Sequence, residues 1–133
     1  MRTNMKRLHT KLWRLFSEYI RLRDAKINGG YARCYTCNQI VHWKDCDAGH
    51  YEKRQHTNLL YDERNVHAQC QKCNRFGGGM QSDYAIHLIK DYGEGILQKL
   101  SKEKWIPRKF SELELLGMIE EYKEKVKKFR KKV

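Results

Sequence analysis

Four cysteines with the spacing of metal ligands bracket the middle of the sequence. Cys34 and Cys37 form one Cys-x-x-Cys pair, and Cys70 and Cys73 form a second pair 32 residues further on. Each pair can place two thiolates on one tight turn, and two pairs complete the tetrahedral set that zinc prefers. A closed set of four thiolates has no open position, so we predict a structural Zn²⁺ that stabilises the fold. The fifth cysteine, Cys46, is expected to be a free thiol.

Polar residues suited to phosphodiester hydrolysis lie between and beside the two pairs. A neutral imidazole can accept a proton from water near neutral pH. Carboxylate and amide oxygens are ligands for Mg²⁺ or Mn²⁺. Hydrolysis needs both functions, a base to make the nucleophile and a cation to stabilise the charge on the phosphate. Any one of these residues alone could be structural; the set comprises Asp47, His50, Asn65, His67 and Asn74.

The order of these residues resembles the HNH (His-Me finger, ββα-metal) endonucleases that carry a four-cysteine zinc. Residues 47–51 and 61–74 more closely resemble the NinG (Rap) family of phage recombination proteins. This resemblance implies a metal-dependent endonuclease that cuts branched DNA, such as Holliday junctions or D-loops. It implies that His50 is the general base, that Asn65 orients this histidine or its loop, and that Asn74 binds the catalytic Mg²⁺ or Mn²⁺.

One position departs from the HNH pattern. Many HNH enzymes with a four-cysteine zinc have Asp directly before the first His as the other metal ligand, and Gly49 stands there in this chain. Asp47 is the candidate substitute, although on a regular strand it shares a face with Gly49 and not with His50. We therefore expect the strand to bend. His67 is a further candidate for a metal ligand or a phosphate contact.

Two functions without catalysis also stay open. The first is a zinc module that binds DNA or recruits a recombinase partner, which Gly49 favours. The second is an RNA-binding ribbon, which needs exposed aromatic side chains for base stacking.

The positive charge of the chain is concentrated outside the cysteine segment. The net charge is +12; residues 1–33 hold 9 basic and 2 acidic residues, residues 34–74 hold 5 of each, and residues 75–133 hold 14 and 9. This balance favours a polyanionic partner, most simply DNA, over a surface kept soluble by lysine. We expect the flanking helices to provide most of the contacts that bind DNA. The candidate phosphate contacts nearer the site are Lys53, Arg54, Arg64 and Arg75, although such side chains could instead form surface ion pairs.

The pattern of apolar residues predicts an α+β fold, a small ββα-metal (HNH) zinc module flanked by amphipathic helices. We expect a basic N-terminal helix within residues 1–30, the zinc module in residues 31–80, and a helical region with a basic tail in residues 81–133, together forming one compact domain. Short strands are predicted at 31–33, 40–43 and 49–51, and an irregular loop at 55–64. A helix capped by Ser82 should bury Tyr84, Leu88 and Tyr92.

The last helix begins with a capping box formed by Ser111 and Glu114. Its apolar residues then follow a seven-residue repeat for about two heptads. This face either packs on its own domain or forms a homodimer.

We expect no membrane-spanning segment, because no run of about 18 apolar residues occurs. The basic N-terminus lacks the apolar core of a signal peptide. The expected location is the reducing cytosol of the host cell, where paired cysteines bind metal and do not form disulfides.

Overall fold

The computed structural model describes residues 2–133 and confirms a mixed α+β fold. Its helices are α1 (Arg2–Asp24), α2 (Gln81–Tyr92), α3 (Ile96–Glu103) and α4 (Glu112–Arg130). Its strands are β1 (Tyr31–Arg33), β2 (Ile40–His42), β3 (Cys46–His50) and β4 (Val66–Cys70). Among residues 2–133, no helix combines the length and apolar character needed to cross a bilayer.

The strands form two separate antiparallel pairs, β1 with β2 and β3 with β4. In the second pair, Cys46 lies opposite Cys70 and His50 lies opposite Val66. A turn of π-helix, Lys72–Phe76, follows β4 directly. The sequence analysis did not predict β4. Its residues Val66–Cys70 do alternate between apolar and polar types, but the run leads directly into the second cysteine pair, and all five residues are buried.

Helices α1 and α4 form the largest part of the core. Phe16 of α1 packs edge-to-face on Tyr122 of α4, with ring centroids 5.1 Å apart. Asn4 donates a hydrogen bond to Glu112 at one end of the pair, and Arg130 pairs with Glu18 at the other, so the two helices run parallel.

The capping box and the heptad face predicted for α4 are both confirmed in their local structure. Ser111 accepts a hydrogen bond from the Glu114 backbone amide, and the Glu114 carboxylate accepts one from the Ser111 amide. The heptad face packs inside the chain against α1, which is the first of the two alternatives; its buried residues are Leu115, Ile119, Tyr122 and Val126.

A second, smaller core lies between α2, α3 and the loop after β3. It contains Tyr84, Leu88, Ile96 and Leu100. Two details differ from the expectation for α2. The helix begins after Met80, in place of Ser82, and Tyr92 is 42% exposed, although its hydroxyl group contacts the buried His67 of β4.

Candidate active site

The four predicted zinc ligands converge. The sulfur atoms of Cys34, Cys37, Cys70 and Cys73 all lie within 4.8 Å of one another, and the Cys37 and Cys70 sulfurs are 3.8 Å apart. Tetrahedral Zn–S bonds of about 2.3 Å place sulfur atoms about 3.8 Å apart, so the donor set fits zinc in both chemistry and spacing. The four cysteines can therefore bind a structural zinc ion, while Cys46 lies outside the cluster.

The local structure explains why these cysteines meet. Cys70 ends β4 and Cys73 lies in the π-helical turn that follows, where its amide donates a hydrogen bond to the Cys70 sulfur. The Tyr35 amide donates to the Ala68 carbonyl at 2.9 Å, which fastens the first pair to β4. Burial raises the pKa of Cys34, but hydrogen bonds from Thr36 and from backbone amides outweigh this effect and lower the pKa to about 6, which favours the thiolate.

An open cleft of about 660 Å³ brings together six of the predicted site residues. They are the candidates for catalysis and metal binding, Asp47, His50 and Asn74, and the candidate phosphate contacts, Lys53, Arg54 and Arg75. Strand β3 pairs with β4 on one edge only, and four of its five residues border the cleft. Side chains from both faces of β3 therefore reach the same space. The other walls come from α1, the loop after β3 and the segment after the π-helical turn.

The His50 ring is held by two contacts. Its Nε2 lies 3.0 Å from the Leu60 carbonyl oxygen, and its plane stacks on Trp13 with centroids 4.9 Å apart. The Arg54 guanidinium lies over the same Trp13 ring, 4.6 Å from its centroid. A carbonyl can only accept, so Nε2 carries the proton and the lone pair of the neutral ring is on Nδ1. Burial lowers the pKa of His50 to about 4, and therefore the ring is neutral at pH 7.

Asn65 acts on the loop and does not border the cleft. It is fully buried, and its Oδ1 accepts from the Glu52 amide at 2.7 Å. Its Nδ2 donates to the carbonyls of Glu52 and Leu59 at 3.0 and 3.1 Å. These bonds fix the loop whose next carbonyl, that of Leu60, binds His50. The orienting role implied by the resemblance stays a prediction, and these hydrogen bonds are the contacts through which Asn65 would exert it.

Asp47 and Asn74 are in direct contact. Asn74 Nδ2 donates to an Asp47 carboxylate oxygen at 3.0 Å, and Arg75 donates to both oxygens of that carboxylate at 2.9 and 3.0 Å. Burial alone would raise the pKa of Asp47, but the hydrogen bonds from Arg75 and Asn74 hold the pKa below its usual value. The carboxylate is therefore ionised and could hold a cation together with the Asn74 oxygen.

Gly49 cannot carry a side chain in this packing. A Cβ on Gly49 would lie 1.8 Å from Gln69 Oε1 and 3.0 Å from Asn74 Oδ1. The place where a side chain of residue 49 would start is thus filled by an amide from β4. Gln69 was not among the predicted site residues, and its one signal in the sequence is its position next to Cys70.

The cleft is strongly basic. Asp47 is the one carboxylate among the described residues that border it, and five basic side chains surround it: Arg21, Lys44, Lys53, Arg54 and Arg75. Three of the five come from residues 34–74, so the charge of the cleft arises largely inside the segment whose overall charge is balanced. The cleft is basic although the segment is balanced, because the acidic residues of residues 34–74 other than Asp47 do not border the cleft.

Comparison with known proteins identifies the family. The profile described as "NinG: Bacteriophage Lambda NinG protein" matches residues 3–132. The chain belongs to the NinG family of phage proteins.

Relatives in that family include Protein ninG of Salmonella phage P22, 30% identical over 84% of this chain and 52% of the relative. Protein ninG of Escherichia phage 933W is 30% identical over 65% of this chain and 43% of the relative. Protein ninG of Escherichia phage lambda is 28% identical over 84% of this chain and 52% of the relative. The chain spans about half the length of these curated NinG proteins. No solved structure matches it.

Besides Asn65, two predicted site residues of this NinG-family chain lie outside the cleft. His67 is buried, stacks on Tyr35 with centroids 3.9 Å apart, and bonds Tyr84 and Tyr92 through its two nitrogens at 3.2 and 3.0 Å. The structure therefore does not bring His67 beside Asn74, where it was predicted as an additional ligand or phosphate contact. The Tyr84 hydroxyl group donates a hydrogen bond to the Gly49 carbonyl at 2.6 Å, so His67 supports β3 through this tyrosine.

Arg64 is the second residue outside the cleft. Its guanidinium pairs with Asp62 at 2.7 Å and with Glu103 at 2.9 Å. These two carboxylates use its charge within the chain, which is the ion-pair alternative left open by the sequence.

Proposed function

We propose that this chain is a metal-dependent DNA endonuclease of phage recombination, which hydrolyses phosphodiester bonds in branched DNA such as Holliday junctions or D-loops. The observation that supports this proposal is that His50, Asp47 and Asn74 border one basic cleft next to a four-cysteine metal centre. In this proposal, the β3–β4 pair and the π-helical turn form an HNH-type ββα-metal module.

His50 is the general base of the proposed reaction. Its Nδ1 accepts a proton from the attacking water, while the Leu60 carbonyl and the Trp13 ring keep the imidazole in one orientation. A phosphate group next to this ring would favour the protonated form and raise its pKa from about 4 towards the working pH. General bases of this kind contribute about 10²–10⁴-fold to the rate.

The remaining residues of the cleft bind and neutralise the DNA backbone. Lys53 and Arg54 border the same cleft as His50 and are proposed to contact phosphates that flank the scissile bond. A divalent cation held by Asn74 and Asp47 would stabilise the negative charge that develops on the phosphate. Arg75 exchanges its partner in this proposal, from Asp47 to a DNA phosphate.

A cleavage assay tests the proposal. Zinc-loaded protein is incubated with four-way junction, flap, duplex and single-stranded DNA, with and without Mg²⁺ or Mn²⁺. We expect metal-dependent cleavage of the branched substrates, and a loss of at least about 100-fold in rate for His50→Ala. Gel-shift affinity for the junction should stay the same, because the imidazole is neutral and the basic residues are unchanged.

His56→Ala is the matched control. His56 lies in the same loop but packs on Trp105 and does not border the cleft, so its removal should leave the cleavage rate unchanged. If the wild-type protein cuts none of the substrates with any of the metals, the nuclease proposal is wrong. Equal rates for His50→Ala and the wild type would show that His50 is not the base.

A second candidate function is a zinc module that binds DNA or recruits a recombinase without cutting. The observation that favours it is the ion pair between Arg75 and Asp47, which occupies the only carboxylate among the described residues of the cleft. Junction binding without cleavage in the same assay would select this function. The heptad face of α4 is used inside the chain, so a homodimer of either kind would have to form through another surface.

A further inference from the structure

Gln69 has an orphaned oxygen in the interior of the protein. The side chain is fully buried on β4, directly opposite Asp47. Its Oε1 is the one buried side-chain nitrogen or oxygen without a hydrogen-bond partner in the part of the chain that the structure describes. Buried polar atoms are rarely left unpaired, so this oxygen needs a partner that is neither a side chain nor a backbone amide.

The orientation of the Gln69 amide is determined by its neighbours. Its Nε2 donates to the Gly79 carbonyl at 3.0 Å and to the Thr36 hydroxyl at 3.1 Å. A carbonyl cannot donate, so turning the amide over would place two oxygens in contact. The Oε1 atom therefore points the other way, towards Gly49.

Two amide oxygens meet above Gly49. Gln69 Oε1 and Asn74 Oδ1 lie 1.8 and 3.0 Å from the same point, the ideal Cβ position of that glycine. They lie at most 4.8 Å apart, the sum of these distances. Two oxygen ligands on one Mg²⁺ at about 2.0–2.1 Å each lie at most about 4.2 Å apart, so a shift of less than about 1 Å would bring both oxygens onto one ion. The Asp47 carboxylate touches the amide of Asn74 and supplies a negative charge beside them.

We infer that Gln69 Oε1 is a ligand of the divalent cation that the proposed function requires, so this inference rests on that function. The absence of a carboxylate at residue 49 then has a physical explanation. Gly49 leaves space for the Gln69 oxygen of β4, and this oxygen takes the place of a carboxylate oxygen that residue 49 of β3 would otherwise provide. Gln69, Asn74 and Asp47 together supply a hard-oxygen set with one negative charge, which suits Mg²⁺ or Mn²⁺ with water completing the shell.

Binding of Mn²⁺ to the zinc-loaded protein tests the inference without any cleavage. Electron paramagnetic resonance measures the free aqueous Mn²⁺ during a titration at pH 7.5. We expect one Mn²⁺ site in the wild type and a Kd at least tenfold higher in Gln69→Met, which removes the oxygen at nearly constant size. Gln71→Met is the matched control, because Gln71 is an exposed glutamine at the border of the cleft, whereas Gln69 is fully buried; the Kd of this variant should stay within twofold of the wild type.

Two further variants keep the test decisive if Gln69→Met folds poorly, as judged by zinc content and thermal melting. Gln69→Glu keeps the size and adds a charge, so it should bind Mn²⁺ at least tenfold more tightly than the wild type. The double variant Gly49→Asp with Gln69→Ala moves the oxygen to β3 and should bind within tenfold of the wild type.

The outcomes separate the two proposals. Unchanged Mn²⁺ affinity in both Gln69→Met and Gln69→Glu overturns the inference, and the oxygen then binds only a buried water. If Asn74→Ala abolishes binding while both Gln69 variants bind normally, the proposed catalytic cation stands and the Gln69 ligand fails. If the folded wild type binds no Mn²⁺, the cation of the proposed function and the inference fail together.

Discussion

The amide of Asn65 should contribute more to stability than any neighbouring asparagine. Asn65→Ala removes three hydrogen bonds made by a fully buried side chain and leaves the Glu52 amide and carbonyl without this partner, while the Leu59 carbonyl keeps its bond from the Asp62 amide. With about 1 kcal/mol for each bond and an added penalty for buried unpaired groups, the free energy of unfolding should fall by about 3–4 kcal/mol. The loop that carries the Leu60 carbonyl should loosen, and His50 would lose its hydrogen bond.

Urea denaturation of the zinc-loaded protein, followed by circular dichroism, measures this change. Asn58→Ala is the control in the same loop, because the Asn58 side chain makes one hydrogen bond, to the Glu103 carbonyl at 2.8 Å. That variant should lose about 1 kcal/mol. If Asn65→Ala costs no more than Asn58→Ala, the bonds of Asn65 do not hold the loop and the explanation of its position is refuted.

Three further predictions concern the fold around the cleft. Gly49→Ala should lower the free energy of unfolding by about 2–3 kcal/mol in a urea titration, because the new methyl group displaces Gln69. The control is Gly117→Ala in α4, where the space is open and stability should rise by up to about 1 kcal/mol. Equal effects of the two substitutions would contradict the contact between Gly49 and Gln69. Burial lowers the pKa of His67 from 6.5 to about 4, so the unfolded chain takes up the proton first as the pH falls, and stability drops between pH 6.5 and pH 4. In His67→Phe the slope of unfolding free energy against pH in this window should be smaller by up to about 1.4 kcal/mol per pH unit. Denaturation at several pH values measures this slope. Cys70→Ser should lose zinc and melt without a cooperative transition, and a normal zinc content and melting curve would argue against the metal centre.

The elements with a local signal could be predicted from the sequence. The spacing of four cysteines predicts their cluster, because a tight turn can present two thiolates whatever the rest of the fold does. The capping box of Ser111 and Glu114 is likewise a contact over three residues, and the buried heptad face of α4 follows from helical spacing.

What could not be predicted depends on contacts between distant residues. Trp13 meets His50 only because α1 packs on β3, and no pattern within α1 distinguishes this tryptophan from a core residue. The role of Gln69 depends on a glycine across the strand pair and on Asn74 beyond it. The departure at Gly49 was visible in the sequence, but the contact between Gln69 and that glycine joins two strands and therefore could not be read from position alone.

The parallel packing of the first and last helices has a consequence for folding during synthesis. The apolar face of α1, with Leu12, Phe16 and Ile20, is covered by α4, which begins at Glu112. At about 5–20 residues per second, a ribosome needs on the order of 5–20 s to make the intervening chain. During that time the apolar face of α1 is exposed in the nascent protein, while the four cysteines are already available to bind zinc. Metal binding can therefore precede closure of the core. A nascent chain arrested at residue 111 should bind a hydrophobic dye that the finished protein excludes.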